Sequence, residues 1–197
     1  RHRKSLQRLK KVLRICQNKT EVFVVNIIEA KEFIDSFSKR GRLISDLSRF
    51  VNLMNKLGNP QDKLKFIHFA GTNGKGSCVR YCASVLKEAG YKTGEFTSPF
   101  IVKYNDRIRI NEKDISDEDI SKQIGKISEA LGDNRDYSQF EISTALAFLY
   151  FADEKCDIVC LETGIGGLLD STNIIRNPLV SVITSISFDH TAILGDT

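Results

Sequence analysis

A glycine-rich segment containing a lysine and a serine is the part of the chain with the clearest capacity for chemistry. Residues 71–77, GTNGKGS, lie between a predicted strand over 65–70 and a predicted helix over 75–89. Glycines have no Cβ, so backbone amides in such a turn can approach phosphate oxygens closely. The first amides of a helix are unpaired and lie at the positive end of its dipole. We therefore predict that the phosphates of a nucleoside triphosphate bind to Asn73, Gly74, Lys75, Gly76 and Ser77.

The side chains of this segment support the same interpretation. Lys75 supplies a mobile cation for the outer phosphates, and the Ser77 hydroxyl can bond a phosphate oxygen or a metal ion. The motif differs from the common phosphate-binding pattern because Gly76 separates Lys75 from Ser77. The alternative is a glycine-rich turn with a surface lysine. The position of the segment at a strand-to-helix junction favours phosphate binding.

The elements needed to position this turn alternate between strands and helices, a pattern typical of an α/β fold. We predict a P-loop-type mononucleotide-binding fold in which a mostly parallel sheet is flanked by helices. The predicted strands are 65–70, 91–96, 157–161 and 180–186, with a small hairpin over 107–115. The predicted helical regions are 27–57 (broken near Gly41), 75–89, 116–131 and 141–152.

Composition and charge exclude several classes of protein. The 197 residues contain no apolar run near the roughly 18–20 residues that a membrane span requires. Eight Lys or Arg and no acid occur in residues 1–20, so removing those eight charges from the net +4 leaves the other 177 residues at −4. A nucleic-acid-binding domain would spread basic residues over a folded face, so we expect neither nucleic acid nor membrane as a partner. Five cysteines, with no apolar block near the start, lead us to expect reduced thiols in the cytoplasm.

Five motifs in one order identify a resemblance over residues 26–197. They are GTNGKGS at 71–77, TSPF at 97–100, the turn at Arg107-Ile108, LETGIGGLLDSTN at 161–173 and SISFDHTAILGDT at 185–197. Together they closely resemble folylpolyglutamate synthase/dihydrofolate synthase, in the Mur ligase superfamily. The resemblance implies a basic extension over 1–25 and a partial ATP-binding domain over 26–197. It also implies that the chain is truncated at its C-terminus and lacks the C-terminal glutamate-binding domain, so we expect this fragment to be inactive alone.

The resemblance implies an ATP-dependent ligase that uses Mg²⁺. ATP phosphorylates a carboxylate of dihydropteroate or folate, and the amino group of L-glutamate attacks the acyl phosphate to give an amide. Such an enzyme acts mainly by positioning and charge neutralisation. We expect a monomer at full length. Two alternatives stay open at this point: another Mur-type amide ligase, and a degenerate ATP-binding module without catalysis.

The resemblance also assigns the metal and catalytic residues. It implies a magnesium site formed by Ser98, Glu162 and His190, and it makes Lys75 and His190 the candidate catalytic residues. Glu162 and His190 both follow predicted strands, and ligand sites in open α/β sheets gather outside the carboxyl ends of strands. An imidazole is an unusual ligand for Mg²⁺, which makes His190 the least typical member of this set.

Substrate contacts implied by the resemblance come from two segments. We expect binding residues at Ser138, Gln139, Phe140, Glu141, Leu169, Asp170 and Ser171. Phe140 could stack on a pterin ring, and a carboxylate could accept its N–H donors. The alternative role of Phe140 is core packing. One departure from the family pattern is Leu168, which stands where the family usually has Arg.

Overall fold

The computed structural model describes residues 26–37 and 46–196. Predictions for the basic segment 1–25 fall outside this part of the chain. The described residues form a six-stranded sheet with helices on both faces. No helix in the described ranges has the length and apolar character to cross a membrane.

The sheet has the order β4-β3-β2-β5-β1-β6. Its strands are β1 (Phe66–Ala70), β2 (Thr93–Phe96), β3 (Ile108–Ile110), β4 (Lys113–Asp114), β5 (Ile158–Glu162) and β6 (Val180–Ile183). The pairs β2–β5, β5–β1 and β1–β6 are parallel, whereas β3 and β4 extend the sheet as an antiparallel hairpin. The four parallel strands therefore end at one edge, and the predicted α/β fold with a mostly parallel sheet is confirmed.

The described residues include six α-helices. They are α1 (Ile27–Asp35), α2 (Ser48–Lys56), α3 (Lys75–Glu88), α4 (Asp117–Leu131), α5 (Gln139–Asp153) and α6 (Thr191–Leu194). Helix α5 is buried along nearly its whole length because it packs in the larger hydrophobic core, together with residues of α1, α2 and α4. Helix α3 packs on a smaller cluster with Phe69 and Cys160. Alternate residues of β5 join the two clusters, so the clusters lie on opposite faces of the sheet.

Local sequence signals fix several helix starts. Asn26 and Ser138 each form a capping box with the glutamate three residues later, at the starts of α1 and α5. The Ser138 cap makes α5 begin at Gln139, two residues before the predicted start. At the other end of the chain, β6 stops at Ile183, shorter than the predicted 180–186. The residues that follow instead contact the glycine-rich turn.

Candidate functional site

The glycine-rich turn is held by the segment that follows β6. The Thr72 amide donates to the Ser185 carbonyl at 2.7 Å, and the Thr72 hydroxyl pairs with the Ser187 backbone. Gly71 has φ +131°, and a Cβ there would lie 2.1 Å from Thr184 Oγ1. A side chain at position 71 would therefore break the contact between the turn and the 184–187 segment.

The first turn of α3 has backbone amides available for an anion. Its N-cap is Gly74, with φ +83°, which has no side chain and gives no capping hydrogen bond. The Lys75 ammonium donates to the carbonyls of Gly71 at 2.8 Å and Thr72 at 3.3 Å, so it lies over the turn. This arrangement of uncapped amides and a lysine is suited to binding phosphate. Residues 73–77, the predicted cradle, thus lie at the carboxyl end of β1, and phosphate binding there stays a prediction.

Glu162 brings a buried carboxylate to the same place. It ends β5 and is 4% exposed, and its Oε2 accepts a hydrogen bond from the Ser98 amide at 3.0 Å. A Cβ on Gly76 would lie 3.2 Å from Glu162 Oε2, so this carboxylate adjoins the phosphate cradle. Burial raises the pKa of Glu162, and the Ser98 amide, Lys75 and Arg80 oppose that rise.

The chemistry of this corner fits a divalent cation. Within the described ranges, Glu162 Oε1 accepts no hydrogen bond, while Ser98 lies beside Oε2. A buried carboxylate with one uncommitted oxygen favours a cation partner. Mg²⁺ commonly takes one or two protein carboxylates together with phosphate oxygens and water. The predicted pair Ser98 and Glu162 is therefore brought together next to the cradle.

His190 lies beside the glycine-rich turn. It lines a cavity of about 580 Å³ together with Lys75, Gly164 and Gly166. Its side chain is about half exposed. The described part of the chain contains no cluster of three His, Cys, Asp or Glu placed to hold a metal ion. His190 thus shares a cavity with Lys75, and its role as a metal ligand stays a prediction.

Asp170 organises the loop that forms one wall of this cavity. Its Oδ2 accepts from the amides of Gly164 and Ile165 at 2.9 and 3.0 Å. Its Oδ1 accepts from the amide and the hydroxyl of Thr172 at 3.0 and 2.6 Å. Both oxygens are thus occupied within the loop, and binding of a pterin N–H would have to compete with these bonds.

The other predicted substrate residues of this loop differ in exposure. The Ser171 hydroxyl is buried against Thr144 Oγ1 at 3.0 Å. Leu169 and Leu168 are exposed. Leu168 is uncharged, so this position lacks the positive charge of the arginine that the family usually has there. The substrate contacts predicted for Leu169, Asp170 and Ser171 stay predictions.

The segment at the start of α5 is built mainly from structural contacts. Glu141 is buried and accepts from Arg49 Nη2 at 3.0 Å through both oxygens, and from the Ser138 amide at 2.7 Å. Gln139 donates to Asp35 Oδ1 at 3.0 Å. These bonds position the helix start and leave Glu141 committed to Arg49 and the cap.

Phe140 packs between the sheet and the loop after β5. Its ring lies 5.7 Å from the Phe96 ring, centroid to centroid, and a Cβ on Gly164 would meet it at 2.8 Å. The structure therefore gives Phe140 the packing role that sequence analysis left as an alternative. The ring also reaches the cavity wall at Gly164, so its predicted stacking on a pterin is still a prediction.

Sequence analysis missed an ion pair between a partly exposed arginine and a buried carboxylate. Arg80 Nη1 contacts Glu95 Oε2 at 2.7 Å, and Arg80 Nη2 donates to the Asp106 carbonyl at 3.0 Å. Glu95 stands in the middle of β2 and is 2% exposed. An acidic residue inside a short buried strand was the available signal, because such a carboxylate needs a partner.

The sequence and the fold of this chain are similar to those of known proteins. No protein-family model matches the chain. A dihydrofolate synthase/folylpolyglutamate synthase of Bacillus subtilis (strain 168) is 51% identical over 158 residues, which cover 77% of this chain and 36% of that protein. The solved FPGS–AMPPCP–folate complex aligns with a TM-score of 0.82 at 39% identity, covering 87% of this chain and 43% of the other.

A second solved structure agrees. E. coli FolC in complex with DHPP and ADP aligns with a TM-score of 0.78 at 33% identity, covering 85% of this chain and 41% of that one. The chain thus spans about two-fifths of the length of the proteins it matches. The chain is a homologue of folylpolyglutamate synthase and dihydrofolate synthase, corresponding to their N-terminal part.

Proposed function

We propose that the full-length protein is an ATP-dependent ligase that joins L-glutamate to the carboxylate of dihydropteroate or a folate. One observation carries the proposal: the uncapped amides of 74–77 adjoin the buried carboxylate of Glu162, itself 3.0 Å from the Ser98 amide. That arrangement suits a triphosphate with its divalent cation. The similarity to ligases, one of which was solved with AMPPCP and folate, supports dihydropteroate or a folate as the acid substrate.

The reaction divides into two steps. A carboxylate oxygen of the acid takes the γ-phosphoryl group of ATP, the bond to ADP breaks, and an acyl phosphate forms. The glutamate amine then attacks the acyl carbon, the carbon–oxygen bond to phosphate breaks, and the amine loses its proton. Activation is needed because a carboxylate is a poor electrophile. The protein contributes by holding the reacting groups in place and balancing their charge.

Particular residues serve these needs. The amides of Gly74, Lys75 and Gly76 orient the phosphates, and the Lys75 ammonium leaves the carbonyls of the turn to bind an outer phosphate. Ser77 bonds a phosphate oxygen. If Mg²⁺ binds, Glu162 and Ser98 would hold it, and it would neutralise charge on the phosphates. His190 faces the same cavity as Lys75 and is a candidate for contact with the transferring group or its cation. We expect the protein to act in the cytoplasm.

The test is release of ADP by the full-length protein. The assay contains ATP, Mg²⁺ and L-glutamate, with dihydropteroate, tetrahydrofolate and a cell-wall nucleotide offered in parallel as the acid. Lys75→Ala is expected to abolish ADP release, because the mobile cation over the turn is lost. Lys87→Ala, at the far end of α3, is the matched control and is expected to retain activity, because Lys87 pairs with Glu112 at the surface.

Each outcome separates the candidates. Glutamate-dependent ADP release with a pteroate or folate, lost only in Lys75→Ala, supports the proposal. Release with the cell-wall nucleotide alone would assign the chain to another Mur-type ligase. ATP binding without ADP release from any acid would indicate a module that has lost catalysis.

A further inference from the structure

Arg107 is a buried arginine without a carboxylate partner. It is 6% exposed, and no Asp or Glu in the described residues forms an ion pair with it. By contrast, Arg49 and Arg80 each pair with a buried glutamate. Arginine is almost never fully buried unless it is paired, because desolvation of a charge is costly. Arg107 therefore differs from Arg49 and Arg80, and it is the only arginine among the described residues that is more than nine-tenths buried.

The contacts of Arg107 are all uncharged. Its Nη1 donates to the Ser143 hydroxyl at 2.9 Å, and the guanidinium carbon lies 5.2 Å from the Tyr104 ring centre and 5.6 Å from that of Phe100. Its Nε is buried and has no acceptor. Aromatic rings attract a guanidinium, but they do not neutralise its charge or accept its in-plane N–H groups. The charge and at least one donor are left without an acceptor.

The position of Arg107 connects it to the candidate site. It directly precedes β3, and its carbonyl accepts from the Thr97 amide at 2.9 Å. Thr97 is followed by Ser98, whose amide donates to Glu162 Oε2. On the other side, Ser143 lies one helical turn after Phe140 in α5. Arg107 thus joins the segment beside the predicted cation site to the helix that carries the predicted pterin-stacking residue.

The Phe100 ring lies between Arg107 and solvent-exposed residues of the same loop. Phe100 is 44% exposed and is followed by Ile101 and Val102, which are both strongly exposed. Asp106 accepts from the amides of 101, 102 and 103, so the backbone of this loop is held while the Phe100 side chain borders solvent. A change in the Phe100 side chain would therefore leave the hydrogen bonds of the loop backbone intact.

We propose that Arg107 binds the carboxylate of the acid substrate, and that Phe100 is the cover displaced when this acid enters. A planar guanidinium matches a carboxylate through two parallel hydrogen bonds, and such pairs are strongest where water is excluded. Arg107 can take this role because its Nε has no acceptor and no Asp or Glu in the described residues neutralises its charge. The inference rests on the proposed function and adds the residue that recognises the acid.

The experiment compares a ligand that has the carboxylate with one that lacks it. Binding of dihydropteroate and of its neutral carboxamide to the full-length protein is measured calorimetrically with a non-hydrolysable ATP analogue present. The wild-type protein is expected to prefer the carboxylate by roughly 10- to 100-fold, the range for one charge-assisted contact. Arg107→Gln is expected to remove this preference while affinity for the carboxamide stays unchanged.

Two further variants keep the test decisive. Arg107→Lys retains the charge but not the paired donors, so the preference is expected to fall by an intermediate factor; it replaces Arg107→Gln if that variant does not fold. Ser143→Ala removes the hydrogen bond at 2.9 Å while leaving the guanidinium, and the preference is expected to persist. The KM for L-glutamate is expected to stay constant in all three variants.

The outcomes are separable. Equal weakening of both ligands in Arg107→Gln would show a merely structural role and overturn the inference, while the proposed function would stand. A wild-type protein that binds dihydropteroate and its carboxamide equally would also overturn it, without any variant. A wild-type protein that binds neither compound would refute the proposed function together with the inference.

Discussion

Replacing Gly164 with alanine tests whether the loop after β5 is held as tightly as the structure indicates. A Cβ at this position would lie 2.8 Å from two ring carbons of Phe140 and 3.0 Å from Asp170 Oδ2. Ordinary carbon contacts begin near 3.4 Å, so the ring contacts are 0.6 Å too short. The ring has little freedom to retreat because it also packs on Phe96. Overpacking of this kind costs about 1–3 kcal/mol, and we expect Gly164→Ala to lower the free energy of unfolding by about 2 kcal/mol.

The same loop offers a matched control. A Cβ on Gly167 would meet no atom within 4 Å, and its backbone is not in the left-handed region. We expect Gly167→Ala to change the free energy of unfolding by less than about 0.5 kcal/mol. The assay is urea unfolding of the full-length protein without nucleotide, read as a shift in midpoint at constant slope.

The perturbation should also reach the cavity. Asp170 bonds the amides of Gly164 and Ile165, and both residues line the cavity with Lys75. Displacement of Asp170 is therefore expected to weaken binding of an ATP analogue in Gly164→Ala and not in Gly167→Ala. Equal midpoints for the two variants would refute the reasoning, because it would mean that the Phe140 ring yields at no cost.

Three other perturbations have defined outcomes. Arg80→Ala leaves the Glu95 carboxylate buried without its partner and is expected to lower the free energy of unfolding by about 3 kcal/mol. Urea unfolding measures this free energy, and a loss below about 1 kcal/mol would contradict the prediction. Burial holds the pKa of His68 below its usual 6.5, against an opposing effect of Asp170, so the unfolded chain takes up the proton first and stability falls as the pH drops below about 6.5. His68→Gln should flatten that decline, and parallel stability curves for the two proteins would disprove it. Glu162→Gln is expected to raise the magnesium concentration needed for ADP release, whereas an unchanged magnesium titration would remove Glu162 from the cation site.

Local patterns made much of the fold predictable. Glycines and a lysine at a strand-to-helix junction indicate a phosphate cradle because the backbone freedom and the helix dipole act within a few residues. The capping box of Ser138 and Glu141 is likewise a relation between residues three positions apart. The end of β6 at Ile183 was not predictable from its neighbours, because the contact of Ser185 with the glycine turn decides it.

Sequence alone determined which residue types could serve the site, and the tertiary structure decided which of them are free to do so. Three acidic residues were predicted to act in binding, yet only Glu162 keeps an oxygen without a hydrogen bond among the described residues. Glu141 is committed to Arg49, which is 92 positions away, whereas the Ser98 amide that contacts Glu162 comes from 64 positions away. That no described Asp or Glu forms an ion pair with the buried Arg107 is equally a result of packing. Pairing of charges depends on distances across the fold, and these are set when the sheet and helices assemble rather than by spacing along the chain.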